Sequence, residues 1–90
     1  MMLDLYLEGR FKKDMKLAKK RRLHLDKLWT VVEQLQAGKT LAAKYRPHKL
    51  KGEWASFHEC HIEPDWLLIY LVTDERLVLV RTGTHSDLFG

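Results

Sequence analysis

Apolar residues recur at helical spacing in the first half of the chain. In one stretch lysines occupy most of the other positions of each turn, and the apolar positions are Phe11, Met15 and Ala18. A second stretch has the same period, at Leu25, Leu28, Val32 and Leu35. Apolar positions three and four apart predict amphipathic helices, and Gly38 favours the end of the second one. We therefore expect two antiparallel helices joined near residues 21–24, preceded by a short strand at residues 3–7.

The pattern changes after Gly52, where short apolar runs alternate with turn signals. These runs predict three strands, at residues 54–61, 66–72 and 77–81. The middle run, Leu67 to Tyr70, is apolar on both faces and indicates the centre of a sheet. Residues 39–51 are expected to form a loop and residues 84–90 a tail. The order predicts an α+β fold, with an N-terminal strand and two antiparallel helices packed on a small, mostly antiparallel sheet.

Composition limits the class of protein. A chain of 90 residues with 46% hydrophobic residues can bury one core, so we expect residues 1–90 to form a single domain. No stretch has the length of a membrane-spanning helix, and the N-terminal residues lack the basic region of a signal peptide. The lone Cys60 cannot form an internal disulfide, which fits a reducing compartment. A cytoplasmic protein with no membrane partner is therefore expected.

Basic residues are concentrated in the first predicted helix. The net charge is +4, and the run RFKKDMKLAKKRR, residues 10–22, contains a single acidic residue. Such a block either attracts a polyanion or an acidic partner, or keeps an exposed helix face soluble. Charge alone does not separate these two interpretations.

Titratable side chains crowd the segment ECHIEPDW, residues 59–66, directly before the apolar run. A zinc site there is disfavoured, because alternation along a strand points His58 and Cys60 to one face and His61 to the other. The same alternation separates Cys60 from His61, so we interpret Cys60 as a buried structural thiol. Neither a metal nor another cofactor is expected.

Metal-free RNA cleavage is the remaining chemistry that these residue types permit. Attack of a ribose 2′-OH on the adjacent phosphate needs a base, an acid and a cation near the phosphate. Histidines, a carboxylate and an arginine supply all three. Arg81 ends an apolar strand, where it either awaits an anion or forms a fork with Asp65 or Glu59. Trp66 and Phe89 could stack on bases, although core packing is the more common role of an aromatic residue.

Three segments of the second half, HKLKG, ECHIEPDWLLIY and VRTGTHSDLFG, together resemble the YafQ-type toxins of the RelE/ParE superfamily. The segment FKKDMKLAKKR resembles the first helix of that family. The resemblance spans nearly the whole chain and implies a RelE-like fold. It also implies the toxin of a bacterial type II toxin–antitoxin pair, a ribosome-dependent endoribonuclease that cuts mRNA in the ribosomal A site without a metal.

The resemblance also implies the site residues. Those that match catalytic positions of the family are His48, His61, Asp65, Arg81 and His85. Those expected to hold the substrate are Trp66, Phe89, Lys16 and Lys19. His85 is the first candidate for the general acid, Arg81 would neutralise the phosphate, and the other two histidines or the aspartate would supply or orient the base. The chain departs from the family pattern at His58, where relatives often have arginine and where a positive charge near the site would be lost.

The partners implied by the resemblance are the ribosome with its mRNA and a DinJ-like antitoxin of the ribbon-helix-helix type. Such an antitoxin would form a heterotetramer with the toxin, carry it to promoter DNA, and inhibit it with a disordered segment that folds over the site. Two alternatives stay open. One is a ParE-like toxin that inhibits a target such as DNA gyrase by binding, and the other is a degenerate toxin kept only as a repressor partner. The histidines favour a nuclease over the first, and Arg81 with His85 favours it over the second.

Overall fold

A computed structural model describes residues 2–90. In chain order the elements are β1 (Asp4–Leu7), α1 (Gly9–Lys20), α2 (Leu25–Gln36), β2 (His48–Lys49), β3 (His58–Glu63), β4 (Trp66–Val72), β5 (Arg76–Gly83) and α3 (His85–Phe89). Short 3-10 turns at Ala43–Tyr45 and Gly52–Trp54 flank β2. Of the helices that residues 2–90 form, none has both the length and the apolar character needed to cross a membrane.

The strands form one mixed sheet in the order β1–β5–β4–β3–β2. The last three long strands make an antiparallel meander, while β1 pairs with β5 in parallel, Leu5 lying opposite Leu77. Parallel neighbours cannot be joined by a hairpin. Between β1 and β5 the chain passes through α1 and α2 to β2 at the other edge, and returns through β3 and β4. The predicted α+β fold, with two helices on a mostly antiparallel sheet, is confirmed.

The main core lies between the helices and the sheet. Its fully buried members from the helices are Phe11, Leu28 and Val31, and those from the strands are Cys60, Leu68, Leu77 and Leu79. A smaller cluster on the opposite face contains Leu67, Ile69 and Leu88, covered by Trp54 and Phe57. β4 is therefore buried on both faces, as its apolar run predicts, and it fixes the strands beside it as a rigid platform.

Three local predictions are wrong. β3 begins at His58 and not at Trp54, because Trp54 and Phe57 leave the ladder to cover the smaller cluster. The expected loop at residues 39–51 contains β2, which pairs His48 with Glu59 of β3. The expected tail forms α3, whose first turn is closed by a capping box between Thr84 and Asp87.

Candidate active site

His85 is the first residue of α3 and is held by Asp65, which lies in the turn between β3 and β4. One oxygen of Asp65, Oδ1, accepts from the backbone N–H of His85 at 3.0 Å and lies 2.6 Å from its Nδ1. The backbone and side-chain hydrogen bonds from His85 lower the pKa of Asp65 below its usual value. An ionised carboxylate only accepts, so Nδ1 of His85 carries its proton toward Asp65 and Nε2 is the nitrogen left free.

The turn that carries His85 is itself clamped to α1. Asp87 accepts from the backbone N–H of Thr84 at 2.9 Å and pairs with Arg21 at 2.6 and 3.2 Å. These contacts, led by the hydrogen bond from Arg21, hold the pKa of Asp87 well below its usual range. A Cβ at Gly83 would lie 2.9 Å from Oδ2 of Asp87, so glycine is what lets the carboxylate reach its position.

Glu59 of β3 lies between two other histidines. It is only 5% exposed, and its Oε1 lies 3.4 Å from Nε2 of His48 and 3.5 Å from Nε2 of His61. The pairing of β2 with β3 places His48 opposite Glu59, and strand alternation puts Glu59 and His61 on the same face. Glu59 therefore offers one charged acceptor to whichever Nε2 carries a proton.

The three histidines form a row. The ring centroids of His48 and His61 are 6.4 Å apart, and those of His61 and His85 are 5.7 Å apart. Each Nδ1 has an oxygen partner: the carbonyl of Arg46 at 2.8 Å for His48, the carbonyl of Pro64 at 3.1 Å for His61, and Asp65 for His85. Carbonyl oxygens only accept, so all three rings keep a proton on Nδ1 and present Nε2 for chemistry.

Arg81 is held by Asp14 of α1. β1 pairs with β5 only as far as Leu7 opposite Leu79, so beyond that point the outer edge of β5 lacks a strand partner. Asp14 takes its place, accepting from the backbone N–H of Thr82 at 3.1 Å and from Nε and Nη2 of Arg81 at 2.7 and 3.1 Å. Arg81 therefore forms the predicted two-bond contact with a carboxylate. The predicted partner, Asp65 or Glu59, is wrong, because the partner is Asp14. The hydrogen bond to Asp14 raises the pKa of the guanidinium, and the Arg81 side chain is 13% exposed.

The two aromatic residues expected to hold the substrate differ sharply in exposure. Trp66 is 3% exposed and belongs to the helix-side core, where its indole N–H donates to Oγ1 of Thr82 at 2.9 Å. Such burial gives Trp66 a packing role and leaves no ring face for a base. Phe89 is 46% exposed at the end of α3, with its ring edge-on to Trp54. Only Phe89 of the pair is accessible to an RNA base.

The remaining candidates lie apart from the histidine row. Lys16 and Lys19 are exposed on α1, which packs on the face of the sheet opposite to the one that carries Glu59 and His61. His58 stacks on Tyr70, a member of the helix-side core, with ring centroids 5.5 Å apart. The expectation that the charge lost at His58 lay near the site is therefore wrong, because His58 sits on the other face from the histidine row.

Cys60 is fully buried, and burial with the nearby Glu59 raises the pKa of its thiol to about 12. Its predicted role as a structural thiol fits both facts. Among residues 2–90, no group of three or more His, Cys, Asp and Glu side chains is arranged to hold a metal ion.

Sequence reasoning missed four residues that build the site: Asp14, Arg21, Glu59 and Asp87. Three signals were present in the sequence. Thr84-x-x-Asp87 has the spacing of a capping box, and Asp14 and Arg21 are seven residues apart, which puts them on one face of α1. Glu59 also stands two residues before His61, the spacing of side chains that share a strand face.

Comparison with known proteins shows the family of the chain. The model of a family described as the bacterial toxin of type II toxin–antitoxin systems, YafQ, matches residues 3–90. The mRNA interferase toxin YafQ of Escherichia coli K12 is 42% identical over 88 residues, which is 97% of this chain and 96% of that protein.

Two solved structures of bacterial toxins have the same fold. The toxin chain in the crystal structure of the E. coli DinJ–YafQ toxin–antitoxin complex superposes with a TM-score of 0.93 at 42% identity, with full coverage of both chains. A metal-bound toxin from Helicobacter pylori gives a TM-score of 0.92 at 42% identity, covering 98% of this chain and all of that one.

The mixed sheet and the two-helix layer, which superpose on the toxin chain of the DinJ–YafQ complex, define a RelE-like fold. The family model covers residues 3–90, which is nearly the whole chain. The chain belongs to the YafQ family of toxins from bacterial type II toxin–antitoxin systems.

Proposed function

We propose that the chain is an mRNA interferase, a ribosome-dependent endoribonuclease that cuts mRNA in the ribosomal A site. The observation that carries this proposal is the row of three imidazoles, each with Nδ1 fixed on an oxygen, in which Nε2 of His48 and of His61 also faces the carboxylate of Glu59. The name of the E. coli relative, mRNA interferase toxin, supports the same activity.

The proposed reaction needs only side chains. The ribose 2′-oxygen attacks the adjacent phosphorus, the bond from phosphorus to the 5′-oxygen breaks, and a 2′,3′-cyclic phosphate and a 5′-hydroxyl end remain. The 2′-OH proton passes to Nε2 of His48 or His61. His85 enters the step as an imidazolium, gives the proton on Nε2 to the leaving 5′-oxygen and keeps the proton on Nδ1 toward Asp65. Asp65 acts by orienting His85, because both of its contacts are with that residue.

Arg81 is the cation placed for the phosphate in this proposal. Asp14 accepts from Nε and one N–H of Nη2, which fixes the guanidinium plane, and the phosphate would bind the N–H groups that Asp14 does not use. A fixed cation near a phosphate stabilises the negative charge that grows on the phosphate oxygens in the transition state. Phe89 would contribute by stacking on a base beside the cut.

The proposed partners are the ribosome and a DinJ-like antitoxin. The E. coli relative was crystallised with DinJ, and the net charge of +4 suits both rRNA phosphates and acidic antitoxin segments. Lys16 and Lys19 would make such contacts from α1, away from the histidine row. We infer a heterotetramer with a ribbon-helix-helix antitoxin that links the complex to promoter DNA, and a cytoplasmic location.

Primer extension tests the function. mRNA is taken from cells that briefly express the wild-type chain or the Arg81→Ala variant. In-frame cuts at translated codons in the wild type, missing in the variant, are expected. Growth arrest without any cuts would contradict the nuclease and favour a toxin that inhibits its target by binding.

A further inference from the structure

A cavity of about 400 Å³ opens beside the histidine row. Its walls come from the first half of α2, from the 3-10 turn before β2, and from the end of β3 with the turn that follows. His61 forms part of the wall, so the cavity is continuous with the site described above. Its volume is within the range of pockets that bind small molecules, about 300–1,000 Å³.

The cavity shares its walls with the groups that orient two histidines. The carbonyl of Pro64 accepts from Nδ1 of His61 at 3.1 Å, and the carbonyl of Arg46 accepts from Nδ1 of His48 at 2.8 Å. Both Pro64 and Arg46 line the cavity. A strand of RNA whose scissile phosphate lies at the histidines therefore has its neighbouring nucleotide within reach of this space.

The lining has the chemistry of a nucleobase site. Tyr45, Ile62 and Pro64 supply apolar surface, while Thr30 and Asp26 place polar groups on the rim. An unstacked RNA base has apolar faces and polar edges, and proteins bind such bases with aromatic rings and hydrogen bonds to the edges.

The charged groups of the lining can serve both parts of a nucleotide. Lys44 and Arg46 supply cations for a phosphate, whereas Lys27 is already paired with Glu63 at 3.4 Å. Asp26 adds a carboxylate to the lining, which can accept from the amino group of a base.

We propose that the cavity between α2 and β3 receives the base of a nucleotide adjacent to the scissile phosphate, and so helps to set which codons are cut. This inference rests on the proposed mRNA cleavage. The cavity residues are then specificity determinants, separate from the histidines that transfer protons.

Filling the cavity tests this inference. Thr30 is exposed on α2 and lines the cavity, whereas Glu33 is exposed one turn further along the same helix and does not. Thr30→Trp and Glu33→Trp are compared with wild type on ribosomes programmed with synthetic mRNAs that differ only in the nucleotides beside the cut. Thr30→Trp should lower cleavage of the preferred mRNA about tenfold, the loss expected for one stacked base, and flatten the preference among mRNAs. Glu33→Trp should keep the wild-type cleavage rate and the wild-type preference among the mRNAs.

A second pair of variants serves if tryptophan at position 30 disturbs the fold. Arg46 and Arg22 both have left-handed backbone, with φ of 47° and 59°, so glycine fits at either position without strain. Arg46→Gly removes a cavity cation but keeps the carbonyl that orients His48. It should lower cleavage of all the mRNAs by a similar factor, because a phosphate contact carries no sequence information, and Arg22→Gly should leave cleavage unchanged.

Each outcome decides between explanations. Equal rates and rankings for Thr30→Trp and Glu33→Trp would overturn the base site while leaving the nuclease intact. If Thr30→Trp cleaves normally but is no longer inhibited by the antitoxin, the cavity binds the antitoxin, and the proposed base site is overturned. If the wild type cuts none of the mRNAs, the proposed function itself fails.

Discussion

Asp14 holds Arg81 by two hydrogen bonds, at 2.7 and 3.1 Å, across 67 residues of sequence. The same carboxylate closes the open edge of β5 at the backbone N–H of Thr82. A side chain of the basic helix α1 therefore fixes the one cation that the proposed mechanism places on the phosphate.

Removing that carboxylate should reduce both stability and activity. Asp14→Ala leaves the guanidinium of Arg81 and the N–H of Thr82 without their partner, and we expect a loss of about 2 kcal/mol in the free energy of unfolding. Cleavage on programmed ribosomes should also fall, because Arg81 is no longer held in one position. Urea denaturation and cleavage rates measure the two effects.

The double variant Asp14→Ala/Arg81→Ala distinguishes a pair from two independent residues. If the two side chains act together, the double variant should be little worse in cleavage than Arg81→Ala alone. Losses that simply add would contradict the positioning role of Asp14.

The ion pair of Asp87 with Arg21 should make the free energy of unfolding depend on pH. The folded pKa of Asp87 is lowered below the ordinary aspartate value, which is about 4. Its contribution is therefore complete above about pH 4 and is lost as the pH falls toward the folded pKa. We expect Asp87→Asn, which can still cap Thr84, to be less stable than wild type at neutral pH, with a difference that shrinks in acid.

Urea unfolding of both proteins at a series of pH values measures that difference. The Arg21→Gln background is the control, because removing the cation should reduce the effect of Asp87→Asn at neutral pH. If Asp87→Asn lowers the free energy of unfolding equally with and without Arg21, the ion pair is not the source of the lost stability.

Glu59 should matter for cleavage although it lies beneath the histidines. Glu59→Gln keeps the size of the side chain but removes the charge between Nε2 of His48 and Nε2 of His61. We expect the cleavage rate to fall about tenfold, which is less than the full rate enhancement that general acid–base catalysis provides. Glu53→Gln, at an exposed carboxylate outside the site, should cleave as wild type does, and equal rates for both variants would refute the role of Glu59.

Cys60 should resist thiol reagents in the folded protein. Its thiol is fully buried and has a pKa of about 12, so almost none is present as the reactive thiolate near neutral pH. A chromogenic disulfide reagent at pH 8 should react only after urea unfolds the chain. Rapid reaction under native conditions would contradict the buried position.

The sequence predicts the framework well because the framework is set by local pattern. The helical period around Phe11 and Leu28 and the apolar run of β4 are each encoded within a few adjacent turns or residues. Burial of β4 on both faces follows directly from a run with no polar alternation.

The parts that could not be predicted depend on contacts distant in sequence. The partner of Arg81 is on α1, so no strand pattern identifies Asp14. Trp66 faces the core because of the register between β4 and its neighbours, which separates it from the adjacent Asp65. The grouping of the three histidines came from resemblance to a family, since pattern alone places them only near turns and strand ends.

The most direct test of the central claim uses purified protein, programmed ribosomes and two mRNAs. One mRNA is all ribose, and the other has a single 2′-deoxy nucleotide immediately 5′ of the cut. Wild type should cut only the all-ribose mRNA and leave a 2′,3′-cyclic phosphate, while His85→Ala should be at least about 100-fold slower yet still bind antitoxin. Equal cutting of both mRNAs, or full activity of His85→Ala, would contradict the account.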